Sequence, residues 1–419
     1  MSSKNSLILI MGSIRRGEYE YLLSKGYKLG VIVDTNRQVS LANPKHFDLV
    51  EYFDFSKKYS DLENLVNQIQ KTWNINSILN LREYYVKETA KLQRYLGLPS
   101  MNDDSVELVT NKTLMHKRFV EKLGVNSTAK FSDVSTENDL INFMKFAKYP
   151  VILKPNNFYG SLFVRKINNP KDLISTFREN LLKISEFSNK YGIKMNDASM
   201  QVEEYLEGSN HSLDALVDNN GDIHAAPIVD VTTGNDLGYP DFHHFARWSP
   251  SLLSDDLQEE TNRFGKEAIK ALNIKNSAVH VEFINTTHGI KLLEIAARPG
   301  GHRNRVLEMT YNIPYIHEYI MMQQGKTPNL NKKTNKGFMI VTPFPKEKKR
   351  FNHVSNTALN DILNFPTYHF HEIKTQVGSW IGPAYEGFLS SFVIELQSDC
   401  NKAIQRDTQK IIDMGDIFE

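Results

Sequence analysis

Two acids in this chain sit where acids need a reason. Glu282 lies in HVEF and Glu294 in LLEIAAR, each flanked by apolar residues. Between them runs an Asn-Thr-Thr-His-Gly turn, so SAVHVEFINTTHGIKLLEIAAR reads as a hairpin turning near residues 287–288. Residues 282 and 294 then stand opposite, or nearly opposite, each other. Facing side chains of an antiparallel pair have Cβ atoms about 4.5–5.5 Å apart. Two carboxylates that close repel, and one takes up a proton unless a cation lies between them. Magnesium is the natural cation for carboxylate oxygens, with substrate phosphates completing its octahedron. The competing reading is a pair of edge glutamates facing water. The apolar flanks favour a partly buried face instead.

Arg298 follows Glu294 by four residues, where the strand ends. A guanidinium there lies beside the metal and can neutralise charge that develops in phosphoryl or acyl transfer. Gly300 and Gly301 then let backbone approach a substrate closely. Lys154, in PVILKP, stands at a strand exit from which an ammonium reaches phosphate oxygens, and Lys112 stands at a helix start. Either lysine alone reads as a solvated charge. Their place in order with the acids gives them weight. His369 and His371 alternate in YHFHE and could bind a transition metal, but two ligands without a third make an exposed strand face the better reading.

The remaining sequence must position these groups. The first hundred residues alternate apolar runs (SLILIMG, LGVIVDTN, INSILNL) with helical stretches (EYEYLLSKGYK, VKETAKLQRYLG). This predicts a parallel sheet with helices on its faces and ligands at the carboxyl ends of its strands. GSIRRGE is a candidate ligand loop there, yet it matches neither GxGxxG nor a P-loop and reads as an ordinary turn. TNKTLMHKRFVEKLG predicts a helix with Leu114, Phe119, Val120 and Leu123 on one face. PVILKP and SLFVRKI predict strands around a polar loop, and MQVEEYLEGSNHSLDALV begins a further run of strands. DLQEETNRFGKEAIKALNI predicts an amphipathic helix, and the last ninety residues mix short strands with one terminal helix. A linker reads into NLNKKTNKG, 329–337. Three units result: an N-terminal parallel α/β domain over 1–110, a small lobe over 111–205 and a large lobe over 206–419.

The chain has 419 residues, enough for two or three domains. Fifty basic against forty-nine acidic residues, a net charge of +1, point to neither nucleic acid nor an anionic membrane. KEKKR, 346–350, reads as a solvated loop. The single cysteine, Cys400, excludes an internal disulfide and a zinc–thiolate site and fits a reducing cytoplasm. The N-terminal apolar run LILIMG is too short for a signal peptide, and no stretch approaches the roughly 20 apolar residues of a membrane span. The reading is a soluble cytoplasmic protein.

Two lysines, an EEYL hinge, two glutamates twelve apart and an arginine, in that order, resemble the ATP-grasp superfamily of carboxylate–amine ligases. The motifs span residues 100–310, and the layout of the whole chain agrees. The resemblance implies an α/β fold of ATP-grasp type: a parallel-sheet N-terminal domain, a small lid lobe, and a C-terminal mixed α+β lobe carrying the metal hairpin and a strand-rich subdomain. It implies that Lys112 and Lys154 bind ATP phosphates, that Gly160 and Ser161 add phosphate contacts, and that Glu203 and Leu206 of VEEYLEG meet the adenine edge. His211 takes the ribose position. Glu282 and Glu294 hold one or two Mg²⁺ ions, with Mn²⁺ as a substitute.

LLEIAARPGG narrows the resemblance. Many superfamily members carry Glu-x-Asn-x-Arg, whose asparagine is a further metal ligand; that position here is Ala296. Glu-x-Ala-Ala-Arg, with Ala297, resembles the L-amino-acid ligases, which join unprotected amino acids into dipeptides. In that group the arginine, Arg298 here, stabilises the transition state of amine attack. The residue after Gly301, His302 here, shapes the substrate pocket. DLGYPDFHHFARWSP, 236–250, resembles their substrate-facing loop. One departure is NNFYGSLFVRK, which has one glycine and two phenylalanines where glycine and serine are usual, with Phe163 at a common glycine position. It implies either a stiffer lid or phosphate contacts limited to Gly160 and Ser161.

The implied chemistry is ligation of two amino acids: ATP phosphorylates one carboxylate, and the amine of a second molecule attacks the acyl phosphate. His280, His302, His243 and His244 are candidate bases for that amine, and His280 ranks first because it alternates with Glu282 on one strand face. Dimers are common among similar enzymes, so a homodimer is an expectation the residues do not decide. Two other readings stand: an ATP-grasp ligase of purine or natural-product biosynthesis, and an ATP-binding regulatory protein that has lost its chemistry. Glu282, Glu294 and Arg298 together argue against the last.

Overall fold

A strand buried on both faces must be apolar at every position, and Leu7 to Met11 satisfy this with at most 2% exposure. In a computed structural model describing residues 5–14, 16–36, 44–158, 160–191, 200–330 and 336–419, they form the strand Asn5–Gly12. Parts of GSIRRGE (Arg15), NNFYG (Tyr159) and NLNKKTNKG (331–335) lie outside the described residues. Asn5–Gly12 pairs in parallel with Leu29–Asp34 on one side and Trp73–Asn80 on the other, and Leu49–Phe53 extends the sheet. Leu7, Leu9 and Met11 pack on Leu62, Val66, Ile69 and Leu92 from the helices Tyr59–Gln70 and Val86–Tyr95. Ile8 and Ile10 face the other way. They share one core with Tyr19 and Leu22, and with Leu307, Ile316 and Ile320 from the far later helices Arg303–Tyr311 and Tyr315–Gln323. The Gln323 amide also bonds both the N–H and the carbonyl of Ile78. The N-terminal sheet is therefore docked by apolar burial, not tethered by a linker.

The small lobe is an antiparallel sheet in the order Phe131–Val134, Met200–Glu204, Val151–Pro155, Arg165–Ile167. The helices Glu137–Met144 and Pro170–Tyr191 cover it, the first opened by a Thr136/Asp139 capping box. SLFVRKI forms a strand only from Arg165 onward. Leu162 and Phe163 are 1% exposed and turn into the lobe's core beside Phe158. Phe163 adopts the left-handed backbone (φ 60°) that a glycine would take without strain, and aromatic packing against Phe158 and Phe187 holds it there.

The large lobe is built on a nine-stranded antiparallel sheet. Its path runs Gly289–Ala296, Ser277–Thr286, Ser209–Val217, Val229–Thr233, His244–Ser249, Gly337–Val341, Phe392–Ser398, Tyr368–Ile373, with Ile223–Ala225 beside Ser209–Val217. One face packs on the helix Asp255–Ala271, where Gly265 admits Leu213 and Phe283 at distances a Cβ would fill. The helix Lys112–Leu123, assigned by sequence to the small lobe, belongs to this core instead. Its Met115 and Phe119 cluster with Leu213, Leu292 and Ile295, with Leu114 and Leu123 packed alongside. The preceding helix Asp103–Thr110 joins the same cluster through Val106 and Val109. The sequence-based boundary at 110/111 thus falls inside one packed unit.

Candidate active site

The hairpin register puts Glu282 directly opposite Glu294 and His280 opposite Ala296, with a bulge immediately after Glu282. Strand parity then sets the face. His280, Glu282 and Ile284 share it with Asn210, Ser212 and Asp214 of the neighbouring strand. Around the acids lies a connected set of charges. The Glu294 carboxylate is 3.3 Å from Lys112 Nζ. His280 Nε2 lies 3.0 Å from a Glu282 oxygen, and its Nδ1 lies 2.9 Å from Asp214. Asp214 in turn accepts the Gly300 N–H at 2.7 Å. Arg303, with no exposed surface, donates to Ser212 Oγ (2.8 Å) and to the Gly301 carbonyl (3.0 Å). Burial alone would raise the Glu282 carboxyl, but His244, the hydrogen bond from His280 and the Arg303 charge hold it below the ordinary value. Burial would lower the His280 pKa, and the Asp214 carboxylate raises it past that effect.

Lys112 heads its helix behind the cap Asn111, whose side chain accepts the Leu114 N–H. Its ammonium also donates to the Phe158 carbonyl at 2.6 Å, which ties the loop after Val151–Pro155 to the helix. Asn156 strengthens that join by accepting from Thr113 and donating to Asp133. Lys154 projects from its strand to Glu203, 2.8 Å away, and both are buried. His116 is fully buried next to this pair. It donates to the Leu293 carbonyl, and burial and then the Lys154 charge push its pKa down to about 3. Because the folded value lies below that of the unfolded chain, the stability tied to this histidine is present above about pH 6.5 and lost as pH falls toward 3. The stability gap between the parent and His116→Gln is expected to narrow by about 1.4 kcal/mol per pH unit below pH 6. Parallel denaturation curves from pH 7 to pH 5 would overturn this.

Lys112, Glu282, Glu294, Arg298 and His280 fall into one neighbourhood, while other expected positions differ in their physical roles. His211 lies on the opposite face of its strand from Ser212 and Asp214. Both its ring nitrogens are engaged, Nδ1 with Asp230 and Nε2 with Ser209 at 2.7 Å each. Asn210, one residue earlier, shares the face of Ser212 and Asp214. The Glu203 carboxylate is committed to Lys154, and Leu206 sits half-buried beyond it at the hinge. Ser161 donates its hydroxyl to the Phe242 carbonyl at 2.8 Å instead of facing the loop interior. Gly160 is exposed with a left-handed φ of 66°. The glycine that permits close approach is Gly300, where a Cβ would come within 2.4 Å of His280 and Arg303; at Gly301 it would meet open space. His302 takes left-handed backbone at the head of its helix. His280, ranked first as a base, has both nitrogens bound and steadies Glu282 instead. His243 bonds Asp241 and stacks on Phe344, and the pKa of His244 is held well down by burial. His369 is exposed and His371 bonds the Tyr368 hydroxyl, as an ordinary strand face would.

Asp214, Ser212 and Arg303 escaped the sequence reading. The alternation of Ser212 and Asp214 in HSLDALV is the one signal that pointed to the first two. Glu83, from the N-terminal domain, escaped it too. Its carboxylate lies 2.9 Å from Arg298 Nε, and both side chains are largely buried. Burial pushes the Glu83 carboxyl up, with the Arg298 guanidinium opposing.

Among the described residues no group of three or more His, Cys, Asp or Glu side chains could hold a metal. Two facing carboxylates nevertheless fit magnesium, which is bound through one or two carboxylates with substrate phosphates and water supplying the rest. The alkyl side chain of Ala296 offers no further donor.

Residues 147–305 match the family model described as the ATP-grasp domain. The chain is similar in fold, over all of its length and 99% of the other chain, to the L-amino acid ligase from Bacillus licheniformis, with a TM-score of 0.83 and 15% identity. A second solved structure, phosphoribosylglycinamide synthetase from Anaerococcus prevotii, covers 99% of each chain with a TM-score of 0.67 and 19% identity. In sequence it is similar to the alanine–anticapsin ligase of Bacillus amyloliquefaciens, 24% identical over 67% of this chain and 60% of that protein. It is also similar to the D-alanine–D-alanine ligase of Pediococcus pentosaceus, 26% identical over 51% of this chain and 57% of the relative. The chain thus spans less than two thirds of these curated relatives. Among the described residues no helix is long and apolar enough to cross a membrane.

Proposed function

We propose that this protein is an ATP-dependent carboxylate–amine ligase that joins the carboxyl group of one amino acid to the amine of a second through an acyl phosphate, releasing ADP and phosphate. The observation that carries the reading is Glu282 facing Glu294 across the hairpin, with Lys112 on one side and Arg298 four residues along. The names of the sequence relatives, an alanine–anticapsin ligase and a D-alanine–D-alanine ligase, support amino acids as the substrate class. The Glu-x-Ala-Ala-Arg segment supports the same choice.

A carboxylate is a poor electrophile, and phosphorylation makes it a good one. Phosphoryl transfer needs mainly positioning and charge neutralisation. Glu282 and Glu294 would hold magnesium, which supplies that neutralisation when bound. Lys112 and Lys154 offer ammonium groups to phosphate oxygens, Lys154 exchanging Glu203 for them. Asp214, His280 and Arg303 orient Glu282 and keep it ionised, the role of supporting groups around a metal ligand. Arg298, at the strand exit, meets the charge that develops as the amine attacks the acyl carbon. In this reading the protein works in the cytoplasm, where ATP and free amino acids are at hand.

The test is phosphate release with ATP, Mg²⁺ and amino acids offered singly and in pairs, with the product identified by mass. Release that requires two amino acids and yields a dipeptide is the expected result. Release with an amino sugar phosphate instead would transfer the protein to the purine-type ligases, and no release with any pair would end the dipeptide reading.

A further inference from the structure

Arg298 reaches out of the large sheet toward the N-terminal domain, and its partner there stands on prepared ground. Glu83 opens the short 3₁₀ turn Glu83–Tyr85, three residues past the carboxyl end of the strand Trp73–Asn80. Ligand sites of parallel sheets form at that end. The turn is fixed on every side. Asn80 accepts the Arg82 N–H at 3.1 Å. Arg82 makes a two-pronged bond to Glu18 (3.1 and 2.9 Å) and a third to Ser13 Oγ. The Tyr85 hydroxyl donates to Asp34 at 2.9 Å. Held in this way, Glu83 presents its carboxylate 2.9 Å from Arg298 Nε. The Arg298 Nη1 donates to the Pro299 carbonyl at 2.9 Å. A guanidinium has five N–H donors. The Glu83 contact is an ion pair that holds the guanidinium in place, and the Pro299 bond orients it.

We infer that Glu83 is a positioning residue for ligation: it acts through Arg298, fixing the guanidinium for amine attack and coupling that step to the docking of the N-terminal domain. The arrangement alternates in sign. Glu83 and Glu294 both act on Arg298, and Lys112 sits against Glu294. An unanchored arginine between two carboxylates would swing toward Glu294 and compete with the metal for it. Glu83 gives Arg298 an anchor on the other side, so the metal acid stays available. This inference rests on the ligase reading above.

The test compares the parent with Glu83→Gln, which keeps size but removes charge, and with Glu83→Asp. Ligation is followed as kcat and as KM for ATP. Acyl-phosphate formation is followed separately by oxygen scrambling within ATP in the absence of the second amine. Glu83→Gln is expected to lower kcat about 10- to 100-fold, with KM for ATP within about threefold of the parent and scrambling retained. Glu83→Asp should recover part of the loss. In an Arg298→Lys background, Glu83→Gln should add little, because the two act as a unit. A merely structural role would lower melting temperature and all rates together. An active parent with unchanged kcat in Glu83→Gln, loss of scrambling in step with ligation, or additive effects in the double variant would each overturn the inference while leaving the ligase reading intact. A parent that releases no phosphate with any pair would overturn the ligase reading, and this inference with it.

Discussion

Arg298→Ala is expected to lower kcat for amide formation by about 10²–10³-fold, the effect of removing one preorganised donor from a developing charge. KM for ATP should change little, because the proposed function gives the phosphate contacts to Lys112 and Lys154. The position argues for a loss in the transition state more than in binding. Glu83 holds the guanidinium as an ion pair and the Pro299 carbonyl accepts from its Nη1, so it is oriented before any substrate arrives. Preorganisation of this kind spares reorganisation during reaction. The alanine variant also leaves Glu83 buried without its cation, which adds a stability cost of about 1–3 kcal/mol. Arg298→Lys separates the two effects: it restores positive charge near Glu83 but not the planar fork. Steady-state rates, melting temperatures and ATP dependence of the three proteins check the expectation. Ligation by Arg298→Ala at the parental rate would remove Arg298 from the mechanism.

The second large effect concerns the facing acids. Glu282→Gln and Glu294→Gln are each expected to raise the Mg²⁺ concentration for half-maximal rate at least about 100-fold, since even supporting residues around metal ligands cost about 10–100-fold. The two should differ in detail. At Glu282 the neutral amide sits against His280, whose pKa is raised partly by that carboxylate, so the Asp214–His280 pair must readjust. At Glu294 the variant releases Lys112, which keeps its bond to the Phe158 carbonyl. Glu294→Gln should therefore fold as the parent does, with its defect confined to Mg²⁺ and phosphate. Titration of activity with Mg²⁺ at fixed ATP, with nucleotide binding by calorimetry, distinguishes these outcomes. Parental Mg²⁺ dependence in both variants would dissolve the metal site.

Local pattern determined much of this protein. Period-two alternation and a short turn were enough to bring Glu282 and Glu294 opposite or nearly opposite each other, and the bulge after Glu282 completes the match, since the register set by the turn pairs Phe283 with Leu292. Continuous apolar runs separated by helical stretches specified the N-terminal parallel sheet. The order of lysines, hinge, acids and arginine specified the ATP-grasp layout, and Ala296 pointed within it toward amino-acid ligases. Each of these signals is carried by residues close in sequence, or by an order that survives any packing.

Tertiary structure decided the rest. His211 and Asn210 are adjacent in sequence, and one strand register decides which of them faces the site. Phe163 sits in glycine-like backbone because two aromatic rings, Phe158 and Phe187, close over it, a contact no local rule contains. The helix Lys112–Leu123 left its expected lobe because its apolar face fits Leu213, Leu292 and Ile295 better than solvent. Asp214 and Arg303 became part of the site through partners 66 and 91 residues away. The pairing of Glu83 with Arg298 bridges 215 residues (298 − 83) and two domains. Sequence determined which groups could do chemistry here; apolar burial between distant elements decided which charges meet, because charge pairing is short-ranged and burial alone brings remote segments within its reach.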